Sequence, residues 1–427
     1  MFRKLFILVL AAALMVGAVS AQDAEPLRIG LLTDQSGALT IYGFEQEYGF
    51  KLGLLYQAGI DPTEYDSIDD ALADLTIAGR PVEILVRDNG SNPETGASQA
   101  RELIEQEGIE IMVGAPSSGV TVALQQLALD YDMILFAAPG ASPAITGANF
   151  NVNTFRVCRN TNQDFLSFVN YAKESLGTNF IILAADYEFG RTSAAAAEAI
   201  YSANGINFVQ DTIYAPLETT DFTPYIQQVL NSGADVLLPI WAGDTSVTLY
   251  QQLEELGVRD QLTVLGAFNS NDIVAASATE ANIGDISWIV YHYTLPQNEI
   301  NDWLVEKHQA VYNDVPDLFT ECAFATAQAL YNAVEATGGD TLPEALIPEL
   351  EGMQFDGPKG TYYIRPGDHQ ALVPMYIVQL DNIDDPEFRF YTLVQEADAL
   401  SIAPPCEAPE DRCAMNEAFM ESLEAGS

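Results

Sequence analysis

Gly114-Ala115-Pro116-Ser117-Ser118-Gly119-Val120-Thr121 is the stretch whose reading decides the fold. It follows a short apolar run, Ile109–Val113, that reads as a strand, and it opens a run with helical character, Val122–Leu129. A strand that stops at such a turn and becomes a helix leaves free backbone N–H groups and small hydroxyls at the helix start. Those groups favour an anion or a carboxylate. The expectation is that two lobes close over this point.

Outward from this turn the chain alternates. Leu27–Thr33 reads as a strand, and Phe44, Tyr48, Leu52 and Leu55 recur at helical spacing until Gly59. Val82–Val86 is the next strand, and Asn92-Pro93 supplies an N-cap and first-turn pair for a helix. Met133–Ala137 continues the series. A second lobe begins near Asn160, with Phe180–Ala184, Phe208–Ile213, Asp235–Ile240, Leu262–Leu265 and Ile286–Tyr291 as strands between helical runs. Asn301 to Thr337 reads as helical, a hairpin follows Gly352, and the tail from Ala403 reads as peripheral. Near-continuous apolar strands alternating with helices predict parallel sheets covered on both faces, an α/β fold of two Rossmann-like lobes. The expected division is residues 27–155 plus 292–370 for lobe 1, 156–291 plus 371–400 for lobe 2, and 401–427 for a tail.

Length and charge narrow the function. A chain of 427 residues suggests two domains. Lys and Arg number 17 against 61 Asp and Glu, a net charge of −44. Such a surface repels nucleic acid and anionic lipid, which excludes both as main partners. Met1-Phe2-Arg3-Lys4, the apolar run Leu5–Val16 and Val19-Ser20-Ala21 have the build of a signal peptide spanning 1–21. The reading is an exported, soluble chain, with no other stretch suited to crossing a membrane. The four cysteines, Cys158, Cys322, Cys406 and Cys413, form no C-x-x-C pair, and the three histidines form no ligand motif, so neither a metal site nor a cofactor is expected. Three disulfide pairings are open, with Cys406 and Cys413 close enough in sequence to pair locally.

Ligands of open parallel sheets sit beyond the carboxyl ends of the strands. That rule selects the loops Asp34–Tyr42, Ala115–Val120, Pro139–Thr146, Asp186–Arg191, Trp241–Thr245 and Phe268–Asn271. Two lobes presenting such loops to each other describe a clamshell.

The chain resembles the extracytoplasmic solute-binding proteins of the type I periplasmic-binding fold, in particular the Leu/Ile/Val-binding family of ABC importers. The resemblance runs from about Leu27 to Leu380. It rests on Ile29-Gly30-Leu31-Leu32-Thr33 with Ser36-Gly37 and Tyr42-Gly43, on Gly114-Ala115-Pro116-Ser117-Ser118, and on Ala138-Pro139-Gly140-Ala141-Ser142. Phe155-Arg156, Arg159-Asn160, Gln163-Asp164, Asp186-Tyr187-Glu188-Phe189-Gly190, Asp221-Phe222 and Gly367-Asp368-His369-Gln370 extend it. It implies a monomer that binds a small polar solute and hands it to an ABC permease. It also implies that Ser118, with Ser117 beside it, and Ser142 hold a carboxylate. Gly140 would take an ammonium with its backbone carbonyl, with Ala141 beside it, and Tyr42, Phe189 and Trp241 would wall the pocket. The family's amino-acid binders set an acidic residue of the second lobe against the ligand ammonium. Here Phe268 aligns with that acid. This weakens the α-amino acid reading, unless Asp272, Asp186 or Glu188 substitutes, and points to an amide, a carboxylate without an ammonium, or an aromatic acid.

Bland readings stand beside these. Ser117 and Ser118 also suit a cap of the following helix, the lesser of their two readings, and Trp241 suits a core. Arg156 and Arg159 read as braces of the crossover, paired with carboxylates rather than touching ligand. His369 reads as a turn residue. A rival is a secreted α/β serine hydrolase, with Ser117 on a turn like a nucleophile elbow and His369 downstream. No oxyanion motif accompanies it. A ligand-sensing domain of the same fold is a second rival.

Overall fold

A computed structural model describes residues 24–266 and 270–426. The expected signal peptide and Phe268 lie outside the described residues. Six strands form the first sheet, in the order Thr76–Ile77, Arg80–Asp88, Leu27–Thr33, Ile111–Gly114, Ile134–Phe136 and Thr154–Phe155. All neighbours are parallel except the first pair. The second sheet runs Thr263–Val264, Val236–Ile240 and Asn179–Ala185, with Asn207–Phe208 and Ile213–Ala215 sharing its far edge, again parallel. The molecule is thus α/β with two lobes of parallel sheet flanked by helices. Two small antiparallel sheets complete it: Ile286–Ile289 with Met375–Leu380 and Tyr391–Ala397, and the hairpin Gln354–Gly357/Gly360–Ile364 with Ala371–Leu372.

The central strands are apolar throughout because helices cover both faces: Leu27, Ile29, Leu31, Ile181, Leu183 and Leu237 are fully buried. Each such side chain contributes about 1.5–3 kcal/mol relative to exposure. Helix Thr40–Ala58 packs along Thr320–Ala336, and glycine sets how close they come. A Cβ at Gly49 would stand 2.0 Å from Thr320 O, and one at Gly53 2.4 Å from Phe324 O. This approach carries Phe319, just before the second helix, to the site.

The structure corrects several local expectations. The run Asn301–Thr337 is two helices, Glu299–Tyr312 and Thr320–Ala336, because Asn313 turns left-handed (φ 57°) and Pro316 follows. The run Phe208–Ile213 is the space between two short strands. The tail is not peripheral. Arg365 donates to Pro404 O at 2.7 Å, Gly367 N–H to Asn416 Oδ1 at 2.7 Å, and Arg412 Nη2 to Glu351 at 2.6 Å. Its helix, Glu410–Gly426, therefore docks on the turn before Gln370, where the chain passes Arg156 in a parallel bridge. Cys406 pairs with Cys413, and Cys158 pairs with Cys322.

Candidate functional site

The turn after strand Ile111–Gly114 is built largely by its own side chains. Ser117 caps helix Ser118–Asp130, its hydroxyl accepting Val120 N–H at 3.5 Å. Thr121 Oγ1 takes Ala115 N–H and donates to Ala115 O, both at 3.0 Å, which closes the turn. Ser118 Oγ, fully buried, accepts Ser142 N–H at 3.1 Å and so joins this turn to the next. The carboxylate of Asp34, at the end of strand Leu27–Thr33, accepts Ser91 N–H at 2.6 Å and also faces Ser117 N–H. Burial pushes Asp34 up to about 7 despite these donors.

The neighbouring turn, Ala138–Ser142, is held by Arg156. This fully buried guanidinium donates to Ser142 O at 2.6 Å, Gly140 O at 3.2 Å, Thr146 Oγ1 at 2.6 Å and Gln370 Oε1 at 2.7 Å. Burial lowers its pKa to about 9, with the charge of Arg159 adding to the effect. Arg156 braces the crossover as its position suggested, but through carbonyls and an amide rather than carboxylates.

Between the lobes lies a small cavity of about 20 Å³. Leu39, Tyr42 and Ala141 of the first lobe line it, with Pro116 and Pro139. Tyr187, Phe189 and Ala242 close it from the second, and Arg159 and Phe319 complete the wall. Tyr42 meets Phe319 edge-on at 4.8 Å. The Arg159 guanidinium lies 5.3 Å from the centre of the same Phe319 ring. Arg159 is 3% exposed, and its Nε is 3.2 Å from Asp164 Oδ1. Burial drives Asp164 up to about 6, against the pull of Arg159. The Cys158–Cys322 disulfide, one residue from Arg159 and three from Phe319, ties the two segments that carry them. Among the described residues lining this cavity Arg159 is the charged one, and none is acidic.

The lobes touch around the cavity. Gly243 N–H donates to Tyr42 Oη at 3.1 Å, and Asp244 N–H to Ala38 O at 2.9 Å. Leu39, the N-cap of helix Thr40–Ala58, gives that helix no side-chain acceptor; the Asp244 carboxylate accepts Ile41 N–H instead. Ser142 Oγ donates to Glu188 Oε1 at 3.3 Å and receives Thr192 Oγ1 at 2.9 Å. Burial holds the ionisation of Tyr42 and Tyr187 far above the ordinary tyrosine value, so both hydroxyls stay neutral.

The residues singled out from sequence therefore fall into two groups. Tyr42, Ala141 and Phe189 stand on the cavity wall. Ser117 caps its helix, Ser118 holds Ser142, Gly140 O holds Arg156, and Ser142 turns its hydroxyl to the opposite lobe. Trp241 packs in the second lobe's core, 4.9 Å edge-on from Phe222, with Nε1 bound to Thr245 Oγ1 at 2.9 Å. Tyr187 and Phe319 were not singled out as wall residues; Arg159, read as a brace away from the ligand, does pair with a carboxylate, Asp164, but also stands on the wall. The available signal was a cation next to Cys158 at the crossover. His369 sits in a turn at φ 58°, stacked on Phe155. Its ring nitrogens face Thr154 O and Glu351 Oε1, both at 3.0 Å, not Ser117.

The chain belongs to the periplasmic binding protein family, whose pattern matches residues 26–385. The Leu/Ile/Val-binding protein homolog 6 of Brucella melitensis is 24% identical over 378 residues, covering 86% of this chain and 91% of that protein. A branched-chain amino acid ABC transporter structure from Rhodopseudomonas palustris CGA009 is 29% identical, with TM-score 0.71, covering 90% of this chain and 100% of that one. A solute-binding protein of an ABC transporter from Rhodopseudomonas palustris BisB5, solved with 3,4-dihydroxybenzoic acid, is 20% identical, with TM-score 0.75, covering 88% of this chain and 98% of that one. Family members are extracytoplasmic solute-binding proteins. Among the described residues no helix is long and apolar enough to cross a membrane.

Proposed function

We propose that this chain is the exported, monomeric substrate-binding component of an ABC importer, and that its solute is a small carboxylate without an ammonium group, an aromatic acid in the first instance. Residues 1–21 are removed on export. Residues 27–155 plus 292–370 and 156–291 plus 371–400 close as the two lobes, and the solute passes to a membrane permease.

The observation that carries this reading is the buried Arg159 in an aromatic wall of Tyr42, Tyr187, Phe189 and Phe319. A guanidinium pairs with a carboxylate through two parallel hydrogen bonds, and its strength grows where water is excluded. An α-amino acid would bring an ammonium into a cavity with no acidic wall residue among those described, which is costly. The solute bound by the Rhodopseudomonas palustris BisB5 protein is of the proposed class. Ala141 and Ser118 support the site, the second through Ser142.

The test is calorimetry of the mature chain against 4-hydroxybenzoate, leucine and a short amide. Tight binding of the benzoate alone is expected. A solute at 100 times its Kd raises stability by about 2.7 kcal/mol, so melting curves give an independent check. Binding of leucine in preference to the benzoate would overturn the carboxylate assignment.

A further inference from the structure

A second and wider cleft, of about 430 Å³, opens between the lobes behind helix Thr40–Ala58. Five carboxylates face it. Glu45, Asp314 and Asp317 come from the first lobe's side, and Asp244 and Asp272 from the second lobe's. Among the described residues no lysine or arginine lines it. His308 does, but its Nδ1 is bonded to Asp314 O at 2.8 Å, and burial lowers its pKa, which leaves the ring neutral.

Two residues that line this cleft carry buried polar atoms without partners. Glu45, 8% exposed, spends Oε2 on Phe319 N–H at 2.8 Å, while its Oε1 has no hydrogen bond. Asn271, 3% exposed, has no partner for either side-chain atom. Its backbone N–H donates to Asp317 Oδ2 at 2.7 Å, across from the second lobe to the first. Buried polar atoms are rarely left unpaired, and an unpaired acceptor and an unpaired amide in one cleft mark the place of a missing group. Burial raises Glu45 well above the ordinary value, and the neighbouring carboxylates of Asp317, Asp272 and Asp314 add to it.

The remaining walls decide what kind of cation fits. Tyr48, stacked on Tyr312 at 3.8 Å, lines the cleft with Phe44 and Phe388. Aromatic faces attract organic ammonium groups. Among the described residues no three His, Cys, Asp or Glu side chains converge as metal coordination requires.

We propose that this cleft is a second ligand site, taking a small organic cation with ammonium groups at both ends, a short aliphatic diamine, which spans the facing acids and holds the lobes together. One ammonium is placed at Glu45 and Asp317, the other at Asp272 and Asp244, and Asn271 offers its side-chain oxygen between them.

The experiment is calorimetry of the mature chain with 1,4-diaminobutane at 150 mM NaCl, with 1-aminobutane and magnesium chloride as parallel probes. One saturable diamine per chain is expected, binding at least tenfold more tightly than the monoamine. The Asp272→Asn/Asp314→Asn variant, altered at two exposed acids, should weaken the diamine at least tenfold with its melting temperature unchanged. Glu45→Gln, which keeps an acceptor for Phe319 N–H, should do the same. Absence of saturable heat, magnesium binding in place of the diamine, or undiminished binding in either variant would overturn the proposal. Titration of 4-hydroxybenzoate in the same preparation reports on the first cavity separately, so failure of one site is distinguished from failure of the other.

Discussion

Two helices of the first lobe turn their N-termini toward the cleft, and they are finished in different ways. Helix Ser118–Asp130 is capped by Ser117, the residue before it. Helix Thr40–Ala58 has Leu39 at that place, and its acceptor comes from Asp244, on the opposite lobe. The first cap exists whenever the first lobe is folded. The second exists only while the lobes touch. Unfinished N–H groups seek acceptors, so part of the free energy of closing is written into the protein before any solute arrives.

The strongest way to break this contrast is Gly243→Ala. Gly243 sits at φ +90°, and a Cβ there would stand 2.1 Å from Ala38 O across the gap. Solute-induced compaction in X-ray scattering should disappear, and Kd should rise about 100-fold, near 3 kcal/mol. Normal compaction in this variant would show that the cross-lobe contact does not govern closing.

Next comes the side of the self-finished helix, where Asp34 is buried. Its folded pKa of about 7 lies above the usual 3.8, so the native state holds more protons than the unfolded chain between those values. Its stabilising contribution is complete below about pH 4 and is lost as pH rises through 7. Thermal melting should therefore show lower stability at pH 8 than at pH 5, by about 2 kcal/mol from this group. Asp34→Asn should flatten the curve, and an unchanged pH profile in that variant would remove Asp34 as the cause.

Arg159→Lys keeps a cation near Asp164 but loses the planar fork. Affinity for an aromatic carboxylate should fall about 30-fold, roughly 2 kcal/mol, with binding of any neutral solute spared. Equal loss for charged and neutral solutes would reassign Arg159 to packing.

The smallest effects come from the caps as a pair. Ser117→Ala should cost about 1 kcal/mol of stability in denaturant melts and leave affinity alone. Asp244→Asn should weaken solute affinity by about 0.5–1 kcal/mol and leave the solute-free melt alone. Swapped outcomes would invert the comparison and return Ser117 to the solute.

What was legible in the sequence follows the same division. The strand Ile111–Gly114 and the helix after it could be read because an apolar run, a Ser cap and helical spacing are all local signals. The hairpin at Gly357–Gly360 was legible for the same reason. Helical periodicity on both sides hid the break at Asn313. Asp244 could not be assigned to Ile41, nor Arg159 to the wall, because those contacts join residues far apart along the chain. Ser118 and Gly140 read as binding groups, and their bonds to Ser142 and Arg156 were not legible, because those contacts too join residues far apart along the chain.

The disulfide between Cys158 and Cys322 closes 164 residues of chain. Chain entropy alone values such a link at about 5 kcal/mol. Recombinant production in a reducing cytosol would forgo it and leave the strip bearing Arg159 unstitched from the helix behind Phe319. The choice of expression host thus becomes part of any affinity measurement: weak binding by a reduced preparation describes an incompletely matured wall, and thiol titration should precede the calorimeter.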